Sequence, residues 1–198
     1  MKKLLALFAV IAITISAASA QDICFRGGLN LAKHIGDASA TSKAKFGVNL
    51  GATVDFELID DLYFRPGLMF TMKGAKYDTG NDVFVNQNYF EVPFVFAYKL
   101  DLNGDLALDF QTGPFVAVGF CGKIKNKTTD NNRSTFKRNG NDEYHRFDLG
   151  WNLGIGVDVD QFYFGLGYDW SFLKLRDDNH DHWKQKNGCF MFNFGYYL

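Results

Sequence analysis

The chain has 198 residues and a formal net charge of −1, and 17% of its residues are aromatic. This length suits a single domain, and the near-neutral charge argues against a nucleic-acid partner. Twenty glycines and only three prolines, together with little helical patterning, favour an all-β fold.

The first 20 residues have the pattern of a secretory signal peptide. Lys2 and Lys3 precede an apolar run over residues 4–15, and residues 16–20 read Ser-Ala-Ala-Ser-Ala. A basic start, an apolar stretch of about a dozen residues and a small-residue cleavage site are the three parts of such a leader. We expect residues 1–20 to be removed, which leaves one domain over residues 21–198 with a formal charge of −3.

Eight segments of the remaining chain alternate apolar residues with small or polar ones. A period of two is typical of β-strands, because successive side chains point to opposite faces. In the clearest segment, Phe46, Val48 and Leu50 alternate with Gly47 and Asn49. The predicted strands are residues 23–33, 45–58, 62–76, 89–101, 105–121, 144–159, 162–173 and 189–198.

Short and long connections alternate between these segments. The short ones are residues 59–61, 102–104 and 160–161, and the long polar ones are residues 36–44, 77–88, 122–143 and 175–187. Bacterial outer-membrane barrels combine short periplasmic turns with longer extracellular loops. The sequence therefore predicts an all-β, eight-stranded antiparallel up-and-down transmembrane β-barrel with both ends in the periplasm.

The volume of the interior decides which strand face points outward. Alternation alone also fits a soluble barrel with an apolar interior, but eight strands enclose a space that a few side chains fill. The apolar face carries most of the phenylalanines and is too large to fit inside. In the last strand it consists of Phe190, Phe192, Phe194, Tyr196 and Leu198. We assign this face to lipid, which predicts an outer-membrane location.

The geometry of the short turns predicts which residues lie opposite each other. Treating residues 59–61 as the turn puts Leu58 opposite Leu62 and therefore Asp55 opposite Arg65. A three-residue turn at 102–104 keeps the outward faces aligned, and it puts Gly104 in the left-handed conformation that glycine tolerates.

Charged residues on the inward face predict an ionic network in the lumen, because buried charges need partners. This network either only fills the lumen or lines a narrow, gated polar path, and the sequence leaves both readings open. The predicted members are Arg26, Asp55, Glu57, Arg65, Lys73, Glu91, Lys99, Asp109, Arg146, Asp148 and Asp169.

Two long loops carry other candidate chemistry. The basic residues of the loop over 122–143 form either a solvated surface or a site for lipid phosphates, including those of lipopolysaccharide; they are Lys123, Lys125, Lys127, Arg133, Lys137 and Arg138. His180 and His182 lie among carboxylates, a donor set that transition metals accept. Because a loop does not fix their geometry, we predict no metal and no other cofactor.

The three cysteines are predicted to be unpaired. Cys24 and Cys189 both face inward, but at opposite ends of their strands, which is too far apart for a disulfide. Cys121 is the third.

Several runs resemble one family. Residues 25–31 read Phe-Arg-Gly-Gly-Leu-Asn-Leu, residues 45–51 read Lys-Phe-Gly-Val-Asn-Leu-Gly, residues 64–68 read Phe-Arg-Pro-Gly-Leu, and residues 89–93 read Tyr-Phe-Glu-Val-Pro. Together they resemble the outer membrane protein β-barrel domain, or PorT-like porin, family of Gram-negative bacteria. The resemblance implies the fold but no particular activity, and one branch of the family is implicated in protein secretion.

The sequence predicts a small outer-membrane barrel with a largely plugged polar lumen and a structural or surface-interaction role. The alternatives are a narrow porin-like solute channel and a PorT-like component of a secretion assembly. The chain has neither a Gly-x-Ser-x-Gly elbow nor a His-Glu-x-x-His motif, so we do not expect an enzyme.

Overall fold

We analysed a computed structural model of the chain, which describes residues 21–36, 41–78, 82–126, 132–136, 144–176 and 185–198. The predicted signal peptide lies outside these ranges. The described part of the chain contains no helix long and apolar enough to cross a membrane.

The described residues form one antiparallel sheet. Its strands are β1 (Gln21–Ile35), β2 (Ser42–Lys43), β3 (Lys45–Ile59), β4 (Leu62–Asp78), β5 (Asp82–Asp101), β6 (Leu106–Cys121), β7 (Lys123–Asn126), β8 (Asn132–Ser134), β9 (Phe147–Val159), β10 (Phe162–Ser171) and β11 (Lys186–Tyr197). The short strands β2, β7 and β8 lie at the extracellular end, and the other eight form the barrel.

The barrel strands pair in chain order, and the sheet closes on itself. β1 pairs with β3 on one side and with β11 on the other, so the first and last strands are neighbours. Pairing of β4 with β5 completes the ring. Closure leaves no exposed sheet edge among the eight strands, as a structure that spans a membrane requires. The predicted eight-stranded antiparallel barrel is confirmed.

The apolar face of every barrel strand points away from the lumen. Leu50 is 66% exposed, whereas its neighbour Asn49 is 4% exposed and faces inward. In the last strand, Phe192 and Phe194 are about half exposed, and Met191 is buried. An exterior of this composition is stable in hydrocarbon and not in water. The predicted face assignment is confirmed.

The first periplasmic turn is tighter than predicted. Ile59 pairs with Leu62, so only Asp60 and Asp61 form the turn, and the ladder shifts by one residue at Leu58. Asp61 adopts a left-handed φ of 66°. The extra residue forms a bulge, so the residues of β3 that precede Leu58 keep the predicted pairing with β4.

The second periplasmic turn is wider than predicted. Leu100 pairs with Leu108, not with Leu106. This change of two residues preserves which side chains face inward, and it puts Lys99 directly opposite Asp109. Gly104 has the predicted left-handed conformation, with φ 72°.

The extracellular end differs most from the sequence prediction. The sequence predicts a long loop over residues 77–88, but β4 continues to Asp78, β5 begins at Asp82, and these two residues pair. β7 pairs with β5 at Val83 to Val85, so one wall of the barrel extends beyond the others. Strands outside the membrane do not need a continuous apolar face, and the alternation that marks the barrel strands is therefore weak here.

The exterior of β3 offers a test of the lipid-facing assignment. Leu50→Arg should lower the free energy of unfolding by about 2–4 kcal/mol, because the cation must enter the middle of the hydrocarbon. Ile59 is 67% exposed on the same strand but lies at the periplasmic turn, and Ile59→Arg should cost about 0–1 kcal/mol. Urea titration in lipid vesicles measures both values. Equal costs at the two positions would contradict the assignment.

Candidate functional site

Arg65 is the centre of a charged cluster in the periplasmic half of the lumen. Its side chain is fully buried. Nε and Nη2 donate hydrogen bonds of 2.5 and 2.7 Å to the carboxylate of Asp55, and Nη1 and Nη2 donate bonds of 3.1 and 2.7 Å to that of Asp109. One guanidinium on β4 thus bridges a carboxylate on β3 and another on β6. The predicted contact between Asp55 and Arg65 is present.

Lys99 extends this cluster towards β9. Its Nζ lies 2.9 Å from Asp55 Oδ2 and 3.6 Å from Asp158 Oδ2. The same ammonium lies 4.8 Å from the ring centre of Tyr63 and 4.5 Å from that of Tyr197, within the range of cation–π attraction.

Arg26 is the third cation of the cluster and has an uncharged partner. Its Nη1 donates a 3.1 Å hydrogen bond to Gln111 Oε1, and its guanidinium stacks 4.0 Å from the ring centre of Tyr163. Tyr163 fits here because the adjacent wall is glycine: a Cβ on Gly165 would lie 2.1 Å from the Tyr163 hydroxyl oxygen.

These residues form what we call the periplasmic ionic cluster. It contains equal numbers of cations and carboxylates, so the buried charges balance. Its members are Arg26, Asp55, Arg65, Lys99, Asp109 and Asp158.

Lys73 is the centre of a second cluster in the extracellular half of the lumen. It is fully buried, and its Nζ lies 2.6 Å from Glu91 Oε2 and 3.0 Å from Asp169 Oδ2. The ammonium also lies 4.2 Å from the ring centre of Phe115. We call Lys73, Glu91, Asp148 and Asp169 the extracellular ionic cluster.

Neutral donors compensate for the excess of carboxylates in the extracellular ionic cluster. Asn152 Nδ2 donates a 2.7 Å hydrogen bond to Asp169 Oδ1. Ser171 Oγ and Asn187 Nδ2 donate bonds of 2.8 and 3.0 Å to Asp148 Oδ2. Hydrogen bonds to a buried carboxylate stabilise its charge where a cation is lacking.

A cavity of about 40 Å³ lies between the two clusters, lined by side chains that include Arg26, Arg65 and Glu91. One water requires roughly 10–15 Å³ of such space, so the cavity holds about three or four waters. Its polar walls suit water, but it is too small for a solute of metabolite size.

An apolar cluster covers the extracellular mouth of the lumen. Its buried members include Tyr89, Phe115, Phe136, Tyr144 and Leu175. Phe136 meets Tyr89 edge-on, with ring centres 5.7 Å apart. It follows directly after Thr135, whose hydroxyl donates a 2.8 Å hydrogen bond to the carbonyl of Asn86.

Two predicted members of the lumen network lie elsewhere. Glu57 is exposed at the periplasmic rim, where it pairs with Tyr63 immediately before the bulge at Leu58. Arg146 is half-buried at the extracellular mouth, where Nη2 donates to the carbonyl of Phe136 and Nη1 to that of Gly119. Arg146 therefore anchors the apolar cluster, and neither residue belongs to the two ionic clusters.

Some lumen residues were missed at the sequence level. Asp158 shares the inward parity of Asp148 and Asn152, so strict alternation along β9 would have included it. His34 lies beyond the predicted end of the first strand, where it is buried with Nε2 3.0 Å from Gln87 Oε1 and Nδ1 2.5 Å from Tyr77 Oη. It continues the inward parity of Asn30 and Ala32, so extending the first strand by one residue would have included it.

The remaining candidate sites have mixed outcomes. The described part of the chain has no group of residues arranged to hold a metal ion, and His180 and His182 lie outside that part. So do Lys127, Lys137 and Arg138. Cys24, Cys121 and Cys189 are unpaired, as predicted, and the first and last are buried.

Comparisons with known proteins agree with this architecture. The profile of a family described as "Outer membrane protein beta-barrel domain" matches residues 19–177. No curated protein sequence matches the chain.

Several solved structures are similar to the chain. Neisserial surface protein A (NspA) has a TM-score of 0.50 and 10% identity, with 90% of this chain and 99% of that one covered. The attachment invasion locus protein Ail of Yersinia pestis has a TM-score of 0.49 and 17% identity, with coverage of 89% and 98%. OprG from Pseudomonas aeruginosa has a TM-score of 0.47 and 14% identity, with coverage of 90% and 96%. At these identities, the likeness concerns the fold alone.

Removing Arg65 should test how much the periplasmic ionic cluster stabilises the barrel. Arg65→Met leaves Asp109 without its cation, whereas Asp55 keeps Lys99. Breaking a buried pair costs about 3–5 kcal/mol of unfolding free energy. The double variant with Asp109→Asn should recover part of this loss, because the unpaired charge is gone.

Glu57→Gln is the matched control, since this exposed position should change stability by no more than about 0.5 kcal/mol. Urea titration of the folded barrel measures all four proteins. A loss for Arg65→Met as small as that for Glu57→Gln would show that the cluster is not stabilising.

Proposed function

The chain belongs to the family of outer membrane protein beta-barrel domains, and from this premise we propose that it is a structural or surface-interaction barrel whose polar lumen is plugged. It is a small outer-membrane barrel in which two ionic clusters and an apolar cluster succeed one another along the lumen. A sealed barrel of this kind presents its loops at the cell surface and does not pass solutes.

The observation that carries the proposal is the position of Arg65. Its guanidinium lies inside the ring of strands, is inaccessible to solvent, and is held from two sides by Asp55 and Asp109. An ion moving along the lumen would have to displace these charge-assisted hydrogen bonds, which are stronger than neutral ones.

The extracellular half supports the same conclusion independently. Lys73 is as inaccessible as Arg65, and the ring of Phe115 packs against it. Above it, Phe136 and Tyr89 are buried in the mouth. A continuous water path would therefore need three separate barriers to open.

A narrow, gated solute channel is the second candidate. The polar cavity between the clusters favours it, because Arg26 Nε and Nη2 and Asn152 Oδ1 are buried there and have no hydrogen-bond partner in the described part of the chain. In this alternative, the two clusters are gates on either side of a hydrated chamber.

Lipid phosphate is the partner chemistry of the proposal, and lipopolysaccharide is its source in the outer leaflet. Of the basic residues predicted for this role, Lys123, Lys125 and Arg133 lie exposed on β7 and β8. Basic residues near an anionic membrane surface strengthen association through simple charge attraction.

Planar-bilayer recording distinguishes the two candidates. The wild-type barrel should show negligible conductance. Arg65→Ala combined with Lys73→Ala should produce brief openings, because both clusters lose their central cation. Glu57→Gln is the control and should remain silent. Steady, ion-selective currents through the wild-type protein would contradict the plugged lumen and favour the channel.

We also propose that residues 1–20 are cleaved on export. The protein recovered from outer membranes should have an intact mass that corresponds to a chain starting at Gln21. It should migrate differently on gels before and after boiling, because a closed barrel resists detergent until heated. Recovery in a soluble periplasmic fraction, or with the leader attached, would contradict this proposal.

A further inference from the structure

Residues 132–136 lie over the extracellular mouth of the lumen. They comprise β8 and the two residues that follow it, Thr135 and Phe136. The side chains of these two residues are buried. We call residues 132–136 the mouth segment and the surface that holds it the mouth groove. The groove consists of β7, Asn86, Tyr89, Gly119, Gly122 and Arg146.

The mouth groove contains a slot for one aromatic ring. Phe136 meets Tyr89 edge-on, and the guanidinium of Arg146 lies 5.4 Å from the centre of the Phe136 ring. Gly119 forms the floor of the slot, because a Cβ at this position would collide with the ring. The slot therefore depends on the absence of a side chain at position 119, and its shape fits an aromatic residue.

The rest of the mouth groove binds mainly backbone. Thr135 donates a 3.1 Å hydrogen bond from its N–H to the carbonyl of Gly122 and a 2.8 Å bond from its hydroxyl to the carbonyl of Asn86. Arg146 Nη2 donates a 2.8 Å bond to the carbonyl of Phe136, and β8 pairs with β7. Of these contacts, only the hydroxyl and the ring depend on side chains of the mouth segment. Another extended peptide with a hydroxyl residue followed by an aromatic one can make the same contacts, as in recognition by strand addition.

The mouth segment is a poor electrostatic match for β7. Lys123 pairs with Ser134, and Lys125 pairs with Asn132. All four residues are exposed, and both lysines have a neutral residue directly across the ladder. Opposite charges across an antiparallel pair stabilise the pairing. A peptide with carboxylates at these two positions would therefore fit the groove better than the segment that fills it.

We propose that the mouth groove binds an extended peptide of a surface partner and that the mouth segment is a displaceable internal ligand of this site. The partner peptide has carboxylates at the positions of Asn132 and Ser134, a hydroxyl residue at that of Thr135 and an aromatic residue at that of Phe136. The proposal rests on the surface-interaction role proposed above and names its partner. The two ionic clusters need not move, so conductance recordings test the plugged lumen and peptide binding tests this proposal separately.

The test is fluorescence anisotropy with a labelled peptide and the folded mature barrel. Octyl glucoside is a suitable detergent, because it has no phosphate that would compete for lysines. The probe has the sequence of residues 132–137 with the changes Asn132→Asp and Ser134→Asp. The emptied variant, Thr135→Ala with Phe136→Ala, lacks both side chains that anchor the mouth segment and should bind the probe. The wild type should bind at least about tenfold more weakly, because its tethered segment competes at an effective concentration on the order of millimolar.

Variants of the probe test each feature of the partner peptide. Replacing the aromatic residue of the probe by alanine should weaken binding about thirtyfold, because buried aromatic anchors contribute most of the affinity in such sites. Restoring Asn132 and Ser134 in the probe should weaken binding about fivefold, because two cross-strand charge pairs are lost. This second difference should decrease as salt is added.

Variants of the barrel test the slot. Gly119→Ala, added to the emptied variant, should weaken binding at least about tenfold, because the new methyl group overlaps the ring of the peptide. Gly27→Ala is the matched control, because it adds the same group on the lipid-facing side, against Leu50, and it should leave binding unchanged.

Three results would each overturn the proposal: no binding of the probe to the emptied variant, equal binding of the peptide without its aromatic residue, or no effect of Gly119→Ala. If the emptied variant does not fold, Phe136→Ala alone should bind the probe more tightly than the wild type. Equal binding by these two proteins would also contradict the proposal.

Discussion

The narrow interior of an eight-stranded barrel is the constraint on which the rest of the structure depends. Side chains that point inward must be small or must satisfy one another, because little water fits beside them. Arg65 meets this constraint by bridging Asp55 and Asp109. Tyr163 meets it differently, since it packs over a glycine wall that includes Gly165.

The periplasmic ionic cluster also joins every part of the barrel wall. With Gln111, Tyr163 and Tyr197 as its neutral neighbours, it receives side chains from all eight barrel strands. Adjacent strands are already held by backbone hydrogen bonds. The cluster adds contacts across the lumen, for example from Arg26 on β1 to Gln111 on β6, which the backbone cannot provide. These contacts lie in the half of the barrel where the turns are shortest.

The membrane determines which side chains the outer surface can carry, just as the small volume of the lumen determines which side chains fit inside. Residues such as Leu50 and Leu153 are more than 60% exposed, which is favourable only in hydrocarbon. Beyond that apolar belt, the described residues of the periplasmic rim expose carboxylates such as Asp60, Asp61 and Asp160.

The sequence by itself determined the eight strands, the lipid-facing side and the contact of Asp55 with Arg65. Apolar and polar residues alternate with a period of two because the two faces of each strand lie in different environments. Short turns fix which residues of neighbouring strands lie opposite each other. The tertiary structure alone decided the bulge at Leu58, the contact of Arg26 with Gln111 and the capping by Phe136. These features depend on which strands face each other across the closed ring and on where loops return to its mouth. No pattern along a single strand records such distances, because they arise only when the sheet closes.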